Sequence, residues 1–197
     1  MNKSDILIVC ALEQEVNGKL DGVLPDPRQI IYTGVGKVNA TGQLTERLHT
    51  SYLSFLPEMP KLVINYGTAG SIDLPIGELV DCTKFIQRDM DVTPLGFQNY
   101  ETPWGNRNIS FLTTTLDGIS CGTGDSFVMA PDPWFVTADI DCVDMEGYAL
   151  AYVAQQYGIP FRSFKYISDM ADENAADEWA NNVAAGAEQF LELYANL

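Results

Sequence analysis

The chain is poor in the residues that most hydrolytic sites depend on. It has one histidine in 197 residues, His49, and that residue sits in Leu44-Thr45-Glu46-Arg47-Leu48-His49 at a polar position of a predicted helix. A Ser-His-Asp triad, a Cys-His pair and a histidine-rich zinc site all need more than that. Any proton transfer must therefore fall to carboxylates, and neither a metal nor a cofactor is expected. Positive charge is scarce too. Eleven Lys and Arg stand against 27 Asp and Glu, a net charge of −16. That balance argues against DNA, RNA and anionic membranes as partners. No apolar run approaches the roughly 18 residues needed to span a bilayer. Asp5 interrupts the short N-terminal apolar stretch, so no signal peptide is expected and the location is read as cytoplasmic. The four cysteines (Cys10, Cys82, Cys121 and Cys142) are scattered, mostly in apolar strand-like surroundings, as reduced buried thiols are.

What remains is an ordinary globular composition, 46% hydrophobic and 19% charged, long enough to bury a real core as a single domain over 1–197. Apolar runs at 5–11, 28–32, 62–66, 78–86 and 160–167 read as strands, with strand-like stretches at 109–115 and 117–121. Helical periodicity covers 37–54 and 146–157, the latter read as amphipathic, and an Ala-rich helix covers 176–196. Gly67-Thr68-Ala69-Gly70-Ser71 reads as a small-residue turn, and 98–108 as an exposed Pro/Gly/Asn-rich loop. Strands alternating with helices predict a three-layer α/β/α fold. The strand-rich, helix-poor stretch between 78 and 121 predicts a central mixed sheet that is partly curled.

Three predicted strands end in acids. Ile6-Leu7-Ile8-Val9-Cys10-Ala11 runs into Glu13 and Glu15; Cys142-Val143-Asp144-Met145 runs into Glu146; Lys165-Tyr166-Ile167 runs into Ser168-Asp169. Ligands of open α/β sheets bind outside the carboxyl ends of the strands, so these acids are candidates for one site. Several carboxylates around one ligand suit acid/base cleavage of a glycosidic bond. Each also has an ordinary explanation. Glu146 serves a helix first turn as well as a pair of sugar hydroxyls. Ser168-Asp169 serves as a turn cap, or as a proton donor whose pKa is raised by apolar surroundings. Phe97, Phe127 and Trp179 either stack on a base or pack in the core. Gly34-Val35-Gly36-Lys37 lacks the spacing of a phosphate loop and reads as a tight strand-to-helix turn.

Taken together, these segments resemble the nucleoside phosphorylase and nucleosidase superfamily, and within it the bacterial 5′-methylthioadenosine/S-adenosylhomocysteine nucleosidases. The matching pieces are Ala11-Leu12-Glu13-Gln14-Glu15-Val16, Gly34-Val35-Gly36-Lys37-Val38-Asn39-Ala40, Asn65-Tyr66-Gly67-Thr68-Ala69-Gly70, Asp89-Met90-Asp91-Val92-Thr93, Gly124-Asp125-Ser126-Phe127, Val143-Asp144-Met145-Glu146 and Ile167-Ser168-Asp169-Met170-Ala171-Asp172. The resemblance implies hydrolysis of a purine nucleoside, with Glu15 activating water and Asp169 protonating the purine N7, oriented by Ser168. It places Glu146 on the ribose hydroxyls, Met145 under the sugar and Thr68 near the nucleophile. Phe127 and Val128 fall at the base, and Leu12 and Trp179 on the walls around the 5′ substituent. Val92, Leu95 and Phe97 fall on a segment contributed by a neighbouring subunit, which implies a homodimer.

The departures are Arg88 where the family usually has His, Leu95 near a usual aromatic, and Asp144 for a usual Glu. Residues 98–125 and the segment after Asp172 are shortened. These departures bear on the 5′ group. Two other readings stay open at this point, a phosphate-dependent phosphorylase and a nucleoside-binding protein without turnover.

Overall fold

A computed structural model describes residues 2–53, 59–104, 107–109, 112–114, 118–130 and 138–197. In chain order the elements are β1 (Ile6–Cys10), α1 (Glu13–Val16), β2 (Ile30–Tyr32), α2 (Lys37–Tyr52), β3 (Leu62–Gly70) and β4 (Leu79–Gln87). They continue with β5 (Thr102–Trp104), β6 (Arg107–Ile109), β7 (Leu112–Thr113), β8 (Ile119–Thr123), β9 (Cys142–Asp144), α3 (Gly147–Gln156), β10 (Phe161–Asp169), α4 (Ala175–Asn182) and α5 (Ala187–Ala195).

β1 is buried along its whole length, which is why it reads as a continuous apolar run rather than an alternating one. It pairs in parallel with β2 on one side and β3 on the other. Its side chains divide between two cores. Leu7 and Val9 pack with Ala40, Leu44 and Leu48 of α2 and with Leu150 and Val153 of α3. Ile6, Ile8 and Cys10 pack with Phe190 and Tyr194 of α5, where Tyr66 of β3 stacks on Phe190 at 4.2 Å between ring centroids. Helices on both faces of a mixed sheet make the three layers expected.

The curl is more pronounced than a bent sheet. The strand order is β10-β4-β8-β9-β3-β1-β2, and β10 also pairs with β3. Neighbour contacts therefore run from β3 through β10, β4, β8 and β9 back to β3, a closed ring of mixed direction. Around it β10 is parallel to β3 and antiparallel to β4, while β9 is antiparallel to β3 and parallel to β8.

Several sequence expectations need correction. Gly67–Gly70 is not a turn but the second half of β3, which continues past Tyr66 to Gly70. The small residues are needed because a Cβ on Gly67 would sit 2.9 Å from Glu15 Oε1, and one on Gly70 2.4 Å from Asp169 Oδ1. The first part of 28–32 is a 3-10 turn, Pro27–Gln29, capped by Asp26 through the Arg28 backbone N–H at 2.8 Å. Residues 98–108 are not all loop, since β5 and β6 form a separate antiparallel pair. Of the stretches at 109–115 and 117–121, positions 110–111 and 115–117 lie outside the described residues, as do 105–106 of the expected loop and position 54 of the expected 37–54 helix. Of the rest, 109 ends β6, 112–113 form β7, which pairs with β4, and 119–121 open β8, which runs on to Thr123.

The helix expected at 146–157 is not amphipathic, because seven of its ten residues are buried between sheet and α2. The single helix expected at 176–196 is two, α4 and α5, broken at 183–186. Gly186 lies against the Tyr166 ring, where an added Cβ would come within 2.4 Å. No helix among the described residues is long and apolar enough to cross a membrane.

Candidate active site

The carboxyl ends of β1, β3, β8, β9 and β10 meet at one rim. Glu15 reaches it from α1, the single turn that follows β1. Its carboxylate is held by four donors: the Ala11 and Leu12 backbone N–H groups at 3.1 and 3.0 Å on Oε2, and the Thr68 N–H and hydroxyl at 2.9 and 3.2 Å on Oε1. The Trp179 indole N–H in turn donates to Thr68 Oγ1 at 3.1 Å. A buried carboxylate bound this way is fixed in place, and its acceptor character is directed into the remaining open space.

Glu146 enters from the junction of β9 and α3. The Gly36 N–H, at the turn leading into α2, donates to Oε1 at 2.8 Å. Gly36 adopts φ +95°, a conformation that suits glycine and aims its N–H across the rim. Burial, reinforced by the neighbouring Asp144 carboxylate, raises the Glu146 pKa to about 7.

Asp144 lies two residues earlier and is fully tied down by Thr123 Oγ1 at 2.6 Å, the Gly147 N–H at 2.7 Å and Lys165 Nζ at 2.8 Å. Both members of the Asp144–Lys165 pair are completely buried. Burial alone would raise the Asp144 pKa, but the Lys165 ammonium and these hydrogen bonds outweigh it and leave it lowered.

Asp169 closes the rim at the end of β10. Ser168 Oγ lies 2.8 Å from Oδ2, and the Ala171 N–H donates to Oδ1 at 3.1 Å. Ala171 takes φ +51° to do so. Ser168 Oγ is also 3.3 Å from the Ala69 carbonyl. One hydroxyl proton serves either partner, so the serine donates to an ionised Asp169, or accepts from a protonated one while donating to Ala69. Burial raises the Asp169 pKa, and the charges of Glu178 and Asp172 push the same way against these hydrogen bonds.

These groups line one cavity of about 530 Å³. Of the residues singled out from sequence, Leu12, Glu15, Thr68, Phe127, Val128, Met145, Glu146, Ser168, Asp169 and Trp179 all border it. Phe127 and Trp179 meet edge to face at 6.4 Å. Val92, Leu95 and Phe97 do not border it; Leu95 ends the 3-10 turn Thr93–Leu95 and is 73% exposed, with Val92 and Phe97 on either side of that turn.

Sequence reasoning gave no role to Lys165 or to the Gly36 N–H. A lysine set between Phe164, Tyr166 and Ile167 was the available signal, because a buried cation needs a partner. Arg88 also borders the cavity, and its terminal nitrogens donate to Ser126 Oγ at 3.2 Å, to the Gly124 carbonyl at 3.3 Å and to the Ser126 carbonyl.

The sequence model of the Phosphorylase superfamily matches residues 18–117 and 111–197. The chain belongs to that superfamily. Among its curated relatives is the 5′-methylthioadenosine/S-adenosylhomocysteine nucleosidase of Geobacillus thermodenitrificans, 32% identical over 199 residues, covering 89% of this chain and 75% of the relative. Solved superfamily folds superpose closely. A variant of the Helicobacter pylori MTAN enzyme with 5′-methylthioadenosine in its active site aligns at a TM-score of 0.81, with 23% identity over 100% of this chain and 99% of that one. Futalosine hydrolase of the same organism aligns at 0.80, with 23% identity over 97% of each chain.

Proposed function

We propose that this superfamily member is an N-glycosidase that uses water to release adenine from a 5′-modified adenosine, with 5′-methylthioadenosine or S-adenosylhomocysteine as the favoured substrate. The observation that carries the reading is the convergence of Glu15, Glu146 and Asp169, from three separate parts of the chain, on one cavity. The 32% identical nucleosidase relative supports the substrate class.

In this reading Asp169, whose pKa burial raises, gives its proton to the purine ring nitrogen and so improves the leaving group. Ser168 keeps the acid oriented in both protonation states. Glu15, fixed by Thr68 and two backbone N–H groups, takes a proton from the attacking water. Glu146 accepts the ribose hydroxyls and Met145 lies under the sugar. Phe127 and Val128 hold the base, and Leu12 and Trp179 wall the 5′ group. Cleavage passes through a cationic, oxocarbenium-like sugar, which flanking carboxylates stabilise.

The phosphorylase reading has one observation in its favour, the Arg88 guanidinium at the cavity wall. Against it, the Glu15 carboxylate, held by four uncharged donors, faces the same cavity. The terminal nitrogens of Arg88 are also already engaged. A phosphate dianion would enter repulsive surroundings, whereas neutral water would not.

The proposal extends to a cytoplasmic homodimer in which Val92, Leu95 and Phe97 complete a partner's pocket for the 5′ group. The test is adenine release from a panel of 5′-modified adenosines with and without phosphate. Equal rates in both conditions are expected. A strict phosphate requirement would overturn the hydrolytic reading, and tight adenine binding with no release from any substrate would favour a binding protein.

A further inference from the structure

Cys82, Cys121 and Cys142 form a group whose three sulfurs all lie within 4.8 Å of one another. Each thiol is essentially fully buried, and none takes part in the glycosidase site. Cys121 and Cys142 face each other directly in the parallel β8–β9 register. Cys82 comes from β4, on the far side of β8, across a register irregularity between Cys82 and Lys84. In a flat sheet two such strands stand roughly 9.6 Å apart, twice the usual spacing. Here the Cys82 and Cys142 sulfurs are 3.7 Å apart. The closure of the sheet that builds the acidic rim therefore gathers three thiols on its concave face.

We infer that these cysteines form a three-thiolate site for a soft metal ion of the Zn²⁺ class. Thiolates around zinc at about 2.3 Å stand roughly 3.8–4.0 Å from one another, close to the 3.7 Å already separating the Cys82 and Cys142 sulfurs. Thiolate sulfur selects such ions over hard cations. No fourth side chain belongs to the group among the described residues, so the fourth position is open. On binding, three S–H bonds give way to three metal–sulfur bonds and three protons pass to solvent, with no change of oxidation state. The Lys165 ammonium, on the neighbouring strand, offsets part of the extra thiolate charge. Two residues beyond Cys121 and Cys142 stand Thr123 and Asp144, so an ion here would clamp the strands that carry that hydrogen-bonded pair.

The probe is Cd²⁺ added to the reduced, native protein, read by the ultraviolet thiolate-to-cadmium absorption and by calorimetry. The expected result is one ion per chain, a melting temperature that rises with cadmium concentration, and loss of the band when Zn²⁺ is added first. Cys10, on the opposite face of β1 and outside the group, is the internal control. Cys10→Ala should keep the band, whereas Cys121→Ser and Cys142→Ala should weaken binding at least tenfold. No band in the native wild-type protein, a band that appears only after denaturation, one that Zn²⁺ does not prevent, or one undiminished in the Cys142 variant would each overturn the site. The wild-type measurements decide the matter even where a variant fails to fold.

Discussion

Glu146 gives the cleanest handle on the proton inventory of the rim. Its pKa in the folded protein is about 7 rather than 4.5, so the folded state binds a proton that the unfolded state has already lost. The stabilisation this brings is complete below pH 4.5 and disappears as pH rises through about 7. By linkage it is worth roughly 3 kcal/mol. Glu146→Gln should remove that component, flattening the fall in stability between pH 4.5 and 7; urea unfolding of both proteins at several pH values checks it. Asp144, whose folded pKa is lowered from 3.8, contributes with the opposite sign and changes only below that value, outside this window.

Gly70→Ala addresses the acid. The new methyl would meet Asp169 Oδ1 and swing the carboxyl away from Ser168. A drop in kcat on the order of 10²-fold is expected from misplacing a general acid, with circular dichroism unchanged. These residues show why the acids were legible in the sequence and the network around them was not. An acid at the end of an apolar run is conspicuous. The partners of Asp144 and Glu146, in contrast, are Lys165 and the Gly36 N–H, more than 20 and 100 positions away, and no local pattern links them.

At the level of elements, burial explains both what could be read and what could not. β1 and β10 are buried almost throughout, and together with the half-covered β4 they were placed to within a residue or two. β3 was cut short because its second half, Gly67 to Gly70, is small to make room for Glu15 and Asp169, and small residues in a row imitate a turn. The C-terminal break was hidden for a similar reason. Its cause is the Tyr166 ring lying against Gly186, a tertiary contact inside an Ala-rich stretch whose single glycine is only a weak local signal. Gly186 has ordinary helical backbone angles, so Gly186→Ala adds no conformational strain and should relieve some. The clash with the ring dominates, and a net loss of roughly 1–3 kcal/mol is expected from overpacking. A denaturant midpoint above that of the parent protein would contradict this account of the break.

For the whole molecule, the net charge of −16 and the acid-lined cavity favour a neutral or cationic substrate over a polyanion. Leu95 stands out as an apolar side chain left in solvent beside a segment that does not reach the chain's own cavity. Leu95→Glu should hold the chain monomeric in sedimentation experiments. It should also raise KM for 5′-modified adenosines on the order of tenfold, as loss of a buried leucine contact would. Unchanged association and KM would remove the segment from the proposed pocket.

The closed run of strand pairings also orders the birth of the protein. The keystone strand, β10, is made after the other strands of the ring, yet it is wedged between β3 and β4, both made long before. Until residues 161–169 emerge, the edges of β3 and β4 wait unpaired and open to unwanted partners, and Asp169 does not yet exist. Nascent chains cut short of that point should be insoluble and inert, so activity waits on that one strand.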